Sequence, residues 1–284
     1  MQPLANKTDY SIEQQLKTTA IDSLDAELLL SSVLNKDRSY FRTWPEKQLS
    51  PEQVEQYQAL LAQRAQGVPI AYILGEQEFW SIPLKVNNSV LIPRGDTERL
   101  VELSLVACKN LKQPKILELG TGSGAIAIAL SQELIKQEAK ITAIDFSIDA
   151  LAIAESNAQQ WQKVPIKFIQ SNWYQALDDQ RYDVIVTNPP YIEANNPHLL
   201  DDIRYEPQQA LVSGKDGLDD IRIIIAQSAL HLNEQGVLLI EHGFDQALAV
   251  QALFKKHHFS DVKTYQDYAG LARVTSGKHY AKTL

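Results

Sequence analysis

Ile116-Leu117-Glu118-Leu119-Gly120-Thr121-Gly122-Ser123-Gly124-Ala125 runs from an apolar strand into a helix through three glycines. Glycine at 120, 122 and 124 lets the backbone turn tightly and lie close against a ligand. The helix that begins near Gly124 offers free N–H groups and a positive dipole end, which suit a carboxylate or a phosphate. In an open α/β sheet such a turn lies at the carboxyl ends of the strands, where ligands bind. Taken alone, the stretch fits a dinucleotide site equally well, because Ala125 completes the G-x-G-x-x-G/A spacing.

Outward from this turn, apolar strands alternate with helical patterns. Strands are expected at 115–119, 141–146, 166–170, 182–187 and 236–241. That alternation predicts a doubly wound, mostly parallel sheet. Two more strands, at 262–266 and 272–276, close the chain with no helix between them and are expected to pair antiparallel.

Ahead of this region the period changes. Residues 75–93 hold Phe79-Trp80-Ser81-Ile82-Pro83-Leu84-Lys85-Val86, then Asn87-Asn88-Ser89, then Val90-Leu91-Ile92. They read as a β-hairpin linker, with the turn at Asn87-Asn88-Ser89. Residues 1–74 read as a small helical domain. Leu24, Leu28 and Leu29 recur at helical spacing, with Asp25 and Glu27 between them. Ser50-Pro51-Glu52-Gln53 is a helix start, with a capping serine, proline in the first turn and a capping-box glutamine. The expected division is therefore 1–74 helical, 75–93 linker and 94–284 α/β.

The formal net charge of −8, with no block of Lys and Arg, argues against a protein that grips duplex nucleic acid by its phosphates. No apolar run reaches the ~18 residues of a membrane span, and residues 1–20 lack the apolar stretch of a secretory signal. Cys108 is the single cysteine, which suits a cytoplasmic location and a packing role. The six histidines form no zinc-ligand spacing with Cys, Asp or Glu, so no metal site is expected. His242, after the strand that ends in Glu241, is assigned a packed or solvated role.

Asp145 lies at the end of the second strand. A carboxylate there can accept hydrogen bonds from both hydroxyls of a ribose, which NAD and S-adenosylmethionine both carry. Val184-Ile185-Val186-Thr187-Asn188-Pro189-Pro190-Tyr191 discriminates between them. Each proline fixes φ and removes a donor, and each extends its predecessor. The strand thus ends in a stiff loop with the Asn188 side-chain oxygen and the Pro189 carbonyl available as acceptors. A planar NH₂ conjugated to a carbonyl or a purine ring is a poor nucleophile. Two acceptors orient it and favour the rehybridisation that frees its lone pair, while Tyr191 can pack on its face. A sulfonium methyl in line then needs neither metal nor covalent nucleophile, and positioning plus preorganised acceptors supply the rate.

In order along nearly the whole chain, the motifs resemble those of the release-factor glutamine methyltransferase family (PrmC/HemK). They are Gly75-Glu76-Gln77-Glu78-Phe79-Trp80, Leu91-Ile92-Pro93-Arg94-Gly95-Asp96-Thr97-Glu98, the glycine turn, Asn188-Pro189-Pro190-Tyr191, Arg204-Tyr205-Glu206-Pro207, Glu241-His242-Gly243, and Gly270 with Arg273-Val274. The resemblance implies a class I S-adenosylmethionine-dependent methyltransferase domain, Rossmann-like with a mostly parallel seven-stranded sheet. It also implies a small N-terminal helical domain that helps hold the substrate. The implied substrate is the glutamine of the Gly-Gly-Gln motif in class I peptide-chain release factors. By matching position, Gly120, Thr121, Gly122, Ser123, Gly124, Asp145 and Asn188 contact the cofactor, and Trp173 flanks its adenine. Asn188, Pro189, Pro190 and Tyr191 hold the glutamine amide, with Asn188, Pro189 and Tyr191 as the catalytic set. Glu118 supports the methionine end of the cofactor or serves structure.

Three positions depart from the family pattern: Gly95 for a proline, Asn172 for a common aspartate, and Ala272 for a frequent aspartate. A ribosomal-protein glutamine methyltransferase and an adenine-N6 nucleic-acid methyltransferase share the chemistry; the second calls for a basic surface that the sequence lacks. A nicotinamide-dependent oxidoreductase leaves Asn188–Tyr191 without a purpose. A non-catalytic binding module is separated by a methyl-transfer assay with an Asn188→Ala control.

Overall fold

The structure, a computed structural model, describes residues 9–200 and 202–280. Residues 1–8 of the stretch read for a secretory signal lie outside them. The chain divides into two compact units, one ending at Gly75 and the other beginning at Glu76.

The first unit holds helices α1 (Ile12–Lys17), α2 (Ser23–Leu34), α3 (Arg38–Thr43), α4 (Pro51–Ala65) and α5 (Ile70–Leu74). The capping box forms as the sequence predicts: Gln53 N–H donates to Ser50 Oγ and Ser50 N–H to Gln53 Oε1. Ile12, Leu29, Leu30, Phe41, Leu49 and Tyr57 bury together as its core. The Tyr57 hydroxyl, inside that apolar cluster, donates to the Ala26 carbonyl, and burial pushes its pKa up to about 12.

The second unit opens with strands β1 (Glu76–Phe79) and β2 (Ile82–Lys85), paired antiparallel. The hairpin turn falls at Trp80-Ser81 and not at Asn87-Asn88-Ser89. Both residues have positive φ, the geometry that matches a two-residue turn to the twist of its strands. Trp80 is held there by Glu98, which accepts its N–H, and by Glu133, which accepts its Nε1–H. The polar run at 87–89 forms a separate turn, with Ser89 N–H on Asn87 Oδ1 and Val90 N–H on the Asn87 carbonyl. It leads the chain into Leu91-Ile92-Pro93-Arg94.

There follow α6 (Glu98–Cys108), β3 (Lys115–Leu119), α7 (Ala125–Glu133), β4 (Lys140–Asp145), α8 (Ile148–Trp161), β5 (Ile166–Gln170), β6 (Tyr182–Thr187), α9 (Asp219–His231), β7 (Leu232–Glu241), α10 (Ala247–Lys256), β8 (Ser260–Gln266) and β9 (Ala272–Lys278). Among the described residues, seven strands form one sheet in the order β5-β4-β3-β6-β7-β9-β8. The first five run parallel, and β9 pairs antiparallel with both β7 and β8. β7 starts four residues before the expected Gly236 because Leu232 already pairs with Tyr182, ahead of a register shift that the polar Asn233-Glu234-Gln235 hides from an apolar pattern.

Strand alternation splits the core. Ile116, Val184 and Val186 face one layer with Leu100 and Val101 of α6 and Ile126, Ile128 and Leu130 of α7. Leu117, Leu119 and Ile185 face the other, with Ile221, Ile224 and Ile225 of α9 and Val250 and Phe254 of α10. Cys108 is fully buried in the first layer, which pushes its thiol up to about 12. From β3 the chain moves outward to β4 and β5, then returns to place β6 on the other side of β3. The strand order therefore reverses between β3 and β6, and a crevice is expected at their carboxyl ends.

Candidate active site

A cavity of about 320 Å³ opens at that crevice, within the ~300–1,000 Å³ range of small-molecule sites. The carboxyl ends of four parallel strands meet around it: Gly120–Ser123 after β3, Asp145 at the end of β4, Ser171, Asn172 and Trp173 after β5, and Asn188 and Pro190 after β6. Val90, Leu91, Pro93, Arg94 and Thr97 close another side.

The glycine turn has the backbone its sequence requires. Gly120, Gly122 and Gly124 all have positive φ, at 70°, 54° and 84°. A side chain at 124 would press on Ala154 and Ile128, whereas nothing lies within 4 Å of a Cβ at 122, so the mouth of the turn is open. Glu118, on the strand face toward α7, is buried. One of its oxygens accepts both the Thr121 hydroxyl (2.7 Å) and Ala127 N–H (3.0 Å). Burial pushes its pKa up to about 8, against those two hydrogen bonds. Glu118 thus ties the turn to the first turn of α7 and lines the cavity as well.

Asp145 accepts Gly122 N–H (2.8 Å) on one oxygen and Ser147 N–H (2.9 Å) on the other. Each oxygen keeps a lone pair for a ligand hydroxyl. Burial raises its pKa, and the backbone N–H groups of Gly122 and Ser147 oppose that rise. Across the cavity the Trp173 ring lies against Gly120, at 3.7 Å from where a Cβ would be. Its Nε1–H donates to Asp220 at the start of α9 (3.1 Å). Glycine backbone, a carboxylate with free lone pairs and an aromatic wall on successive strands form a donor set that fits S-adenosylmethionine.

On the β6 side, Asn188 Nδ2 donates to the Thr97 hydroxyl (3.1 Å). Pro189 and Tyr191 are not among the residues that line the cavity. Tyr191 packs on the second core layer. Its hydroxyl donates to Glu241 Oε1 (3.4 Å), and its carbonyl accepts from Gln246 Nε2 (3.0 Å). Burial raises its pKa, with a further push from the Glu241 charge. Glu241 is buried at the end of β7, and burial pushes its pKa up to about 7, opposed first by the Thr97 hydroxyl and then by Arg273. Arg273 pairs with Asp267 (3.1 Å) and Asp96 (3.3 Å), and Ala272 beside it makes no such contact. His242 is buried, with Nε2 on Thr275 Oγ1 and Nδ1 on the Gly243 carbonyl (both 2.8 Å), and burial lowers its pKa. Among the described residues no group of three or more His, Cys, Asp or Glu could hold a metal, and no helix is long and apolar enough to cross a membrane.

Two residues support the site through contacts that sequence reasoning does not show. Glu206, only 4% exposed, pairs with Arg94 and accepts Ile92 N–H (2.9 Å). Two motifs more than a hundred residues apart thereby become one wall. Asn157, fully buried on α8, accepts Lys85 N–H (2.8 Å) and donates to the carbonyls of Lys85 (3.0 Å) and Ser123 (2.9 Å). It pins the end of the hairpin to the glycine turn. Its sequence signal was a polar residue on the apolar face that Ala150, Leu151, Ala154 and Ala158 define. A buried group left unpaired costs about 1–3 kcal/mol, so Asn157→Leu should destabilise the protein by roughly 2 kcal/mol or more, a fall in Tm of about 5 °C. Differential scanning calorimetry tests this, and affinity for S-adenosylhomocysteine should fall with it because the Ser123 carbonyl loses its anchor.

A PrmC N-terminal domain model matches residues 11–75, and a methyltransferase small domain model matches residues 100–269. The chain is 47% identical to a release factor glutamine methyltransferase of Vibrio cholerae over 270 residues, which cover 94% of this chain and 93% of that protein. It is 44% identical to the protein of that name from Escherichia coli over 268 residues, 94% of this chain and 95% of that one. Among solved structures it is similar to a methyltransferase from Pyrococcus furiosus, with a TM-score of 0.52 and 17% identity over 79% of this chain and 98% of that chain, a likeness of fold.

Proposed function

Because this chain belongs to the release factor glutamine methyltransferase family, we propose that it methylates the side-chain amide nitrogen of the glutamine in the Gly-Gly-Gln motif of class I peptide-chain release factors. Its α/β unit is a class I S-adenosylmethionine-dependent methyltransferase domain. Bound in the cavity, S-adenosylmethionine supplies an electrophilic methyl on a positively charged sulfur.

The observation that carries this proposal is that Asn188 shares one cavity with the glycine turn and Asp145. The turn and Asp145 hold the donor side by backbone N–H groups and a carboxylate. Asn188 forms the acceptor side and orients a conjugated NH₂ toward the donor; the Pro189 carbonyl, expected as a second acceptor, lies outside the cavity lining. As the nitrogen gains positive charge, a fixed acceptor stabilises it at no cost of reorganisation. Its proton leaves after the transfer, so no strong base is required. The N-terminal unit, with a PrmC N-terminal domain match, is assigned to holding the release factor outside the glutamine, since one side chain offers little binding area. A cytoplasmic location follows from that substrate, and the net charge of −8 favours a protein over a nucleic-acid partner.

The test is mass spectrometry of a purified release factor incubated with this protein and S-adenosylmethionine. The expected result is the mass gain of one methyl on the Gly-Gly-Gln glutamine. Methyl on a ribosomal-protein glutamine or on adenine, with the release factor untouched, would replace this substrate.

A further inference from the structure

We propose that Asp220 is a positioning residue for the cofactor, whose carboxylate holds the Trp173 ring as the wall on which the adenine stacks. The proposal rests on the reading of the cavity as an S-adenosylmethionine site and names what keeps that wall in place.

Trp173 starts from an unfavourable backbone. Its φ is +47°, in the left-handed region where a bulky side chain stays only if its surroundings fix it. Ser171 fixes the main chain: its hydroxyl donates to the Trp173 carbonyl (2.7 Å) and accepts Ala176 N–H (3.0 Å). That leaves the ring, whose orientation about χ2 is broad unless a partner sets it. Its Nε1–H donates to Asp220 Oδ1 (3.1 Å). An indole N–H can only donate, so this contact has one direction. The opposite edge of the ring, Cζ3 and Cη2, lies against Gly120. The indole therefore bridges the first turn of α9 and the glycine turn, held at both ends. A ring free to turn about χ2 would present no fixed face to an adenine.

Asp220 is itself set from behind. Ser213, only 2% exposed, donates its hydroxyl to Asp220 Oδ2 (2.7 Å) and accepts Asp220 N–H on the same Oγ (2.8 Å). One carboxylate oxygen is thus committed to the anchor and the other to the indole. Ser213 N–H in turn donates to the Ile192 carbonyl (2.9 Å), directly after the Asn-Pro-Pro-Tyr loop, so the anchor belongs to the framework of the site. A carboxylate that served only the start of α9 would need the Ser213 contact alone. Here Asp220 and Trp173 both line the cavity, and their bond borders the space a ligand would fill.

The test is a double-mutant cycle on S-adenosylhomocysteine affinity, read by calorimetry on the full-length protein. Asp220→Ala should weaken binding about tenfold, the loss of one hydrogen bond to a charged group. KM for S-adenosylmethionine should rise in step, with kcat for release-factor methylation within about threefold of wild type. Trp173→Phe keeps an aromatic face but has no N–H. It should lose a similar factor, and Asp220→Ala added to it should cost less than about twofold more. Asp220→Asn should keep most of the affinity. The Ser213 hydroxyl can accept from an amide as readily as it donates to a carboxylate, which leaves the amide oxygen for the indole. Additive losses in the double variant, an asparagine variant as weak as alanine, or a fall in kcat without a rise in KM overturns the inference and leaves the cofactor assignment intact. Wild-type affinity in Trp173→Phe overturns it too, and that variant decides the matter even where Asp220→Ala does not fold. No binding of S-adenosylhomocysteine by the wild type overturns both.

Discussion

Asn188→Ala should lower kcat/KM for release-factor methylation by about 10²–10³-fold, the usual loss when one preorganised polar group at a developing charge is removed. Affinity for S-adenosylhomocysteine should change little. The donor side is built from other strands: the glycine turn after β3 holds to Asp145 through Gly122 N–H, and Trp173 holds to Asp220. Asn188 bonds to Thr97 and to none of these. Calorimetry with S-adenosylhomocysteine beside steady-state kinetics separates the two sides. Asn188→Asp should sit between wild type and alanine. It keeps an acceptor in place but loses the N–H that Asn188 gives to the Thr97 hydroxyl, and it adds a charge where Asn188 has none. A wild-type rate in Asn188→Ala would remove the amide-binding role from this loop.

The reach of sequence reasoning follows from which partners are local. The strand-turn-helix at 116–125 was legible because a buried parallel strand is continuously apolar and glycine marks left-handed backbone. Seven strands in sequence, the last two without a crossover helix, were enough to give the sheet and its antiparallel edge. The hairpin turn was missed because Trp80 and Ser81 carry no turn chemistry of their own. They hold positive φ next to contacts from Glu98 and Glu133, which lie well beyond the hairpin. The same holds at the site. That Asp145, Trp173 and Asn188 share a cavity with the glycine turn follows from strand ends, which the sequence marks. In the sequence Thr97 enters only as part of the Leu91–Glu98 motif, with no role of its own, and Tyr191 is expected to pack on the face of the bound NH₂ group. Thr97 bonds to Asn188, and Tyr191 to Glu241 and Gln246, all about fifty residues or more distant, which no local pattern connects to them.

Gly217→Ala should lower kcat about a hundredfold or more although residue 217 is absent from the cavity wall. Gly217 packs behind the Asn-Pro-Pro-Tyr loop with φ +71°, and a Cβ there would lie 2.2 Å from the Tyr191 carbonyl oxygen and 2.7 Å from Gln246 Nε2. Two costs combine. Left-handed backbone costs an alanine roughly 1–2 kcal/mol. The clash, moreover, is with main chain, which cannot swing aside as a side-chain tip can. The Tyr191 carbonyl is also the acceptor of the Gln246 amide, so relief of the clash breaks that bond and moves the residue that follows Pro190. A displacement near 1 Å at a reacting group can cost about 10²-fold in rate. Gly270→Ala is the matched control: its φ is +83°, yet nothing lies within 4 Å of a Cβ. It carries the backbone strain without the collision. Both variants should lose Tm, but only Gly217→Ala should lose kcat out of proportion to Tm while binding S-adenosylhomocysteine. Equal kcat in the two variants would mean that the loop tolerates movement of Tyr191, and with it that the Asn188 position is not held from behind.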